Sequence, residues 1–138
     1  MVSFHVPGEP RGKGRPRGAV IAGRARFYTD QRTASYENLV TLAAREAVGS
    51  EPLVTPVAIF VTAWLAIPAS ASRKAREAMA RNEVRPVKLP DLDNVVKAVL
   101  DGCNKVAFMD DKQVVSISAS KLYRETPGVD VVIREVLP

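Results

Sequence analysis

Cysteine, histidine and long apolar runs are all scarce in this 138-residue sequence, and each scarcity closes off a class of protein. Cys103 is the single cysteine, so neither an intrachain disulfide framework nor a cysteine-rich zinc site can be built. His5 is the single histidine, which removes the usual imidazole zinc centre. Both read as structural residues, Cys103 as a small apolar packer and His5 as part of a strand. The longest apolar run, Val57 to Pro68 with Thr62 inside it, falls short of the about 20 residues that span a bilayer. The opening Met-Val-Ser-Phe-His-Val-Pro has no apolar secretory stretch. The expectation is a chain of the reducing cytoplasm with no membrane partner.

Acidic residues are missing from one stretch in particular. Between Glu9 and Asp30 lie Arg11, Lys13, Arg15, Arg17, Arg24 and Arg26, with no acid among them. The chain as a whole carries a formal charge of +5. A polyanionic partner is the natural complement. Gly8, Pro10, Gly12, Gly14, Pro16 and Gly18 break regular structure, so residues 10–26 read as a flexible loop studded with cations. Such a loop can mould to a phosphate backbone through its guanidinium groups. Tyr28 follows closely and is a candidate platform for an exposed base. A basic helix face (Arg73, Lys74, Arg76, Arg81) is a weaker candidate for DNA contact.

Alternation and helical spacing set out the rest. Residues 3–7 suit a short strand and 25–29 a short strand or ribbon. A helix is expected from Thr33 or Ser35 to about Val48, because Tyr36, Leu39, Val40, Ala43 and Ala47 recur at helical spacing. Pro56 to Ile67 reads as a central strand, rich in β-branched and aromatic residues, with Trp64 in the core. Short helices follow at 73–81 and from Asp93 or Asn94 to about Asn104. Closing strands at 113–123 and 129–136 flank the turn Thr126-Pro127-Gly128. The order β–(β)–α–β–α–α–β–β implies one α+β domain over 1–138, with helices packed on a small mixed sheet.

Two acidic clusters carry the chemistry. In Pro90-Asp91-Leu92-Asp93-Asn94, two carboxylates at i and i+2 converge where extended chain turns into a helix. Like charges crowd there, and a hard cation such as Mg²⁺ relieves the crowding while leaving room for a phosphate oxygen. Lys97 and Asp101 follow at helical spacing on roughly the same face, whereas Val95, Val99 and Cys103 point the other way for packing. The second cluster is Asp110-Asp111-Lys112. If the strand after it pairs near the helix start, Asp111 completes a three-carboxylate site suited to phosphodiester hydrolysis. Read alone, each cluster is equally well a helix cap or a solvated turn.

Asp91-Leu92-Asp93-Asn94, Lys97 and Asp101, then Phe108-x-Asp110-Asp111-x-Gln113-Val114, resemble the RusA family of Holliday junction resolvases. The early Pro7-Gly8-x-Pro10-x-Gly12-Lys13-Gly14-Arg15-Pro16-Arg17 is similar to phage-type members of that family. The resemblance implies a RusA-like fold and an endodeoxyribonuclease that makes paired nicks in four-way junctions and related branched DNA. It implies Asp91, Asp93 and Asp111 as catalytic metal ligands, Lys97 as a further catalytic residue, and Asp110 as a less firmly assigned neighbour. It also implies Mg²⁺ (Mn²⁺ able to substitute), a homodimer, and the cytoplasm of a bacterium or phage-infected host. Arg11, Lys13, Arg15, Arg17, Arg24 and Arg26 are then the DNA-contacting set. Where some members have a basic residue just before the first aspartate this chain has Pro90, which leaves Lys88 as the nearby phosphate contact. The competing reading is a non-catalytic module that binds branched DNA through the basic loop alone.

Overall fold

The computed structural model describes residues 1–13 and 34–138 in full, and the backbone of 17–21, 24–28 and 31–33 within their elements. Strands β1 (Val2–Pro7), β2 (Arg17–Ile21) and β3 (Arg24–Tyr28) precede helix α1 (Gln31–Val48). Strand β4 (Val57–Ala66) is followed by helices α2 (Arg73–Ala80) and α3 (Leu92–Cys103), then by β5 (Val114–Arg124) and β6 (Gly128–Glu135). The expected α+β domain is what forms. Four strands make one mixed sheet in the order β1-β6-β4-β5, antiparallel except for the β4–β5 pair.

β4 is central and alternates in burial. Val57, Ile59, Val61, Ala63 and Leu65 are all buried, while the residues between them are half-buried or exposed. This is the period-two signature of a strand covered on one face. The covering layer is α1 and α3, through Tyr36, Val40 and Ala44 of the first and Val95, Val99 and Cys103 of the second. The two helices cross closely at Gly102. A side chain there would place its Cβ 2.6 Å from Val40, and Thr41 Oγ1 donates to the Gly102 carbonyl at 2.8 Å. Cys103 is fully buried, and burial pushes its thiol up to about 12, so it is an inert packer.

Two expectations need correction here. Residues 17–21 and 24–28 are not loop: they pair antiparallel as a two-stranded ribbon, Arg17 opposite Tyr28 and Ile21 opposite Arg24. Val20, Ile21 and Phe27 supply the β propensity that the flanking glycines obscure. Trp64 is not core either. It lies on the sheet face opposite the helices and donates from its indole to Asp130 Oδ2 at 2.8 Å. His5 meets the other oxygen of Asp130 at 2.6 Å, and the Arg124 guanidinium stacks 4.7 Å from the Trp64 ring. Burial alone would push the Asp130 carboxyl up, but hydrogen bonds from His5 and Trp64 outweigh it and hold the group below the usual range. His5 is thus a structural residue, paired to its cross-strand neighbour in register.

Candidate functional site

The path into α3 is built by a proline-rich segment and one lysine. Residues 86–90 run along the far end of β5, with a cis peptide between Leu89 and Pro90. Lys121 of β5 reaches over and donates to the carbonyls of Lys88 at 2.7 Å and Pro90 at 3.0 Å. That clamp fixes the residue immediately before Asp91. Nothing in the sequence marks Lys121, because its role depends on which strand end meets the loop.

Asp91, rather than Asp93 or Asn94, is the N-cap of α3, with extended backbone and no side-chain capping hydrogen bond. Its carboxylate is exposed, as are those of Asp93 and the ammonium of Lys97 one turn on. Among the described residues no ion pair engages either aspartate. Two uncommitted carboxylates therefore sit at a helix N-terminus, where the dipole favours negative charge. Such a pair suits Mg²⁺, which is commonly held by one or two carboxylates, waters and substrate phosphate.

The start of the basic segment lies directly against this turn. Pro10 is buried, and Gly12 packs so close that a Cβ on it would come within 2.9 Å of Asn94 Cβ. The Lys13 amide donates to the Asn94 carbonyl at 2.9 Å. Its side chain bridges Glu37 of α1 at 2.8 Å and Asp101 of α3 at 2.7 Å. Those two acids, Asp101 foremost, raise the Lys13 amine above its ordinary value. Lys13 therefore ties the segment to both helices, and Asp101 has a partner that spacing could not show. Arg11 beside it is exposed. Arg15 and the side chains of Arg17, Arg24, Arg26 and Tyr28 lie outside the described residues. Lys88 is exposed, with its ammonium 5.7 Å from the centre of the Tyr123 ring.

A stability measurement separates the two roles of Lys13. Replacing it by Met leaves Glu37 and Asp101 facing each other without a cation. Since all three side chains are only partly exposed, the loss should be roughly 1–2 kcal/mol after allowance for solvent screening. Urea denaturation reads this directly. A lysine that served only to touch DNA would leave the midpoint unchanged and reduce the salt dependence of binding instead.

The second acidic cluster is elsewhere. Asp110 caps a single 3₁₀ turn, Asp111–Gln113, in a reciprocal capping box. Its Oδ1 accepts from the Lys112 amide at 2.9 Å, and Gln113 Oε1 accepts from the Asp110 amide at 2.9 Å. The Lys112 amide is also the main reason the Asp110 carboxyl lies below its usual range. Asp110 is thus engaged in a cap. Asp111, exposed beside it, presents its carboxylate outward. Gln113 Nε2 anchors the turn by donating to the carbonyls of Leu53 at 3.0 Å and Thr55 at 2.9 Å, just ahead of β4.

The fold places the two clusters at opposite ends of β5. Parallel neighbours β4 and β5 are joined through α2 and α3, and the last helix of such a crossover runs back from the strand ends to the strand starts. The N-terminus of α3 accordingly meets Lys121, while its C-terminus leads through Ala107 and Met109, both bonded to Leu53, into the start of β5. From Val114 to Lys121 is about 23 Å of extended strand, and α3 rises about 16 Å. Asp111 is therefore on the order of 20 Å from Asp91 within one chain. Among the described residues no three or more His, Cys, Asp or Glu side chains gather as a metal cage. The expectation that β5 begins beside the start of α3 does not hold: it begins beside the end of α3.

Comparison with known proteins places this geometry in context. The family model for endodeoxyribonuclease RusA matches residues 7–134, a span that includes both acidic clusters and most of the basic segment. A Bacillus subtilis (strain 168) protein, uncharacterized protein YqaN, is 36% identical over 137 residues, covering 98% of this chain and 96% of its own length. No helix among the described residues is long and apolar enough to cross a membrane.

Proposed function

We propose, for a chain that belongs to the RusA endodeoxyribonuclease family, a Mg²⁺-dependent nuclease that cuts four-way DNA junctions by paired nicks. The observation that carries this reading is the family match over residues 7–134, because it contains the free carboxylates of Asp91 and Asp93 and the later Asp111.

Asp91 and Asp93 hold the divalent cation at the N-terminus of α3. A bound cation there supplies charge neutralisation at the phosphate and a water acidic enough to attack it. Lys97, one helical turn along, places an ammonium where negative charge grows on the phosphate oxygens. Lys121 keeps Asp91 in position through the Pro90 carbonyl. Arg11 and the ribbon of β2 and β3 hold the backbone of the junction arms. Asp111 stands too far from Asp91 to share a cation with it in one chain. The homodimer resolves this: a second copy brings its Asp111 to the first copy's Asp91 and Asp93. Two such sites related by a two-fold axis match the two symmetric cuts that a junction requires.

A junction-cleavage assay tests the reading. With a labelled four-way junction, cleavage should require Mg²⁺ or Mn²⁺ and vanish with EDTA. The melting temperature should hardly change on chelation, since a carboxylate site for Mg²⁺ is weak without substrate. Equal cutting with and without EDTA would refute it.

A further inference from the structure

The outer edge of β5 is exposed in a way that edge strands usually avoid. β5 pairs with β4 on one side and closes the sheet on the other. Residues 114–120, Val-Val-Ser-Ile-Ser-Ala-Ser, contain no charge and no proline, and Val115 through Ser118 are all exposed. Val115 is 61% and Ile117 51% solvent-accessible. Natural sheets protect such an edge with charges, prolines or a covering element, because its free N–H and C=O groups template another strand. Among the described residues nothing pairs with it.

More apolar surface stands bare at both ends of the same strand. Near its start, Val54 and Met109 flank Asp111; near its end, Val87 and Leu89 precede Asp91, and Val87 is almost wholly exposed. These two patches lie at opposite ends, as the two acidic clusters do. A two-fold axis perpendicular to β5 exchanges the ends and brings each patch onto the other.

We infer that β5 is the seam of the homodimer: its free edge pairs antiparallel with β5 of a second copy, about an axis between Ser116 and Ser118. The inference rests on the dimeric reading above and names its surface. Antiparallel pairing of a strand with itself is the isologous contact that a two-fold produces. With the axis at Ile117, Asp111 falls opposite the partner's Tyr123, and Gln113 opposite the partner's Lys121. The partner's Lys121 is the residue that clamps the partner's Pro90, the neighbour of the partner's Asp91. Val54 and Met109 then cover the partner's Val87 and the partner's Leu89. The second copy is the occupant because one operation satisfies the bare edge, both apolar patches and both acidic clusters.

Mass and cross-linking test the seam on the full chain. Wild-type protein should sediment at twice 15.0 kDa, and Ile117→Lys at 15.0 kDa with an unchanged circular dichroism spectrum. Val115→Lys serves as a second variant; both sites are exposed, so neither change disturbs the core. Ile117→Cys and Ser118→Cys should oxidise to covalent dimers, while Leu42→Cys, exposed on α1, should not. A wild-type monomer, a dimer that survives both lysine substitutions, or cross-linking at Leu42→Cys alone would overturn the seam. A covalent Ser118→Cys dimer that leaves junctions uncut with Mg²⁺ supports the seam and counts against the nuclease reading. A lysine variant that stays dimeric and cuts overturns the seam alone.

Discussion

Asp93→Asn should lower junction cleavage by at least about 10³-fold, or roughly 4 kcal/mol of transition-state stabilisation. The substitution keeps the side chain's size and removes the charge that holds the cation. Asp93 is exposed in the first turn of α3, so folding loses only its favourable term with the helix dipole, about 0.3–1 kcal/mol. Melting should therefore shift by a few degrees at most. Binding to an uncut junction should persist or strengthen, because one negative charge is gone from a surface that meets phosphate. If Asp93 were merely part of a helix start, the same substitution would leave the cleavage rate unchanged. Rate, melting and gel-shift measurements on one preparation distinguish these outcomes.

Much of this was legible in the sequence. The period-two burial of β4 and the apolar stripe of α3 were written in residue spacing, so element boundaries fell within a few residues and the α+β arrangement followed. Val95, Val99 and Cys103 are all buried as their spacing requires, while Asp93 and Lys97 face outward. The candidate site was less legible, for three separate reasons. Asp91 caps α3 in place of Asp93 or Asn94, because all three are good caps and the local sequence does not choose among them. Lys13 looks like one cation of a DNA-binding run, yet it bridges Glu37 and Asp101, residues 24 and 88 positions away in a chain whose topology must be known first. The distance between Asp91 and Asp111 depends on β4 and β5 being parallel neighbours. Had β5 been antiparallel to β4, α3 and the start of β5 would have met where the carboxylates were expected.

That separation yields the second large effect. Asp93→Asn and Asp111→Asn proteins should each be inactive as homodimers, since each change damages both sites. Mixed by co-expression or co-refolding, they form heterodimers in which one site carries both substitutions and the other carries neither. Random pairing makes about half of the dimers mixed, with one intact site each, so nicking should return to about one quarter of the wild-type level. The product should be nicked junctions rather than resolved duplexes, because paired cuts need two sites.

The most direct measurement is this complementation on a four-way junction with Mg²⁺, read as nicked strand per unit protein. Recovery near one quarter of wild type is the expected result for a carboxylate site built across two copies. No recovery, from a mixture shown by mass to contain heterodimers, would mean that Asp93 and Asp111 act within one chain or in no common site, and would contradict it.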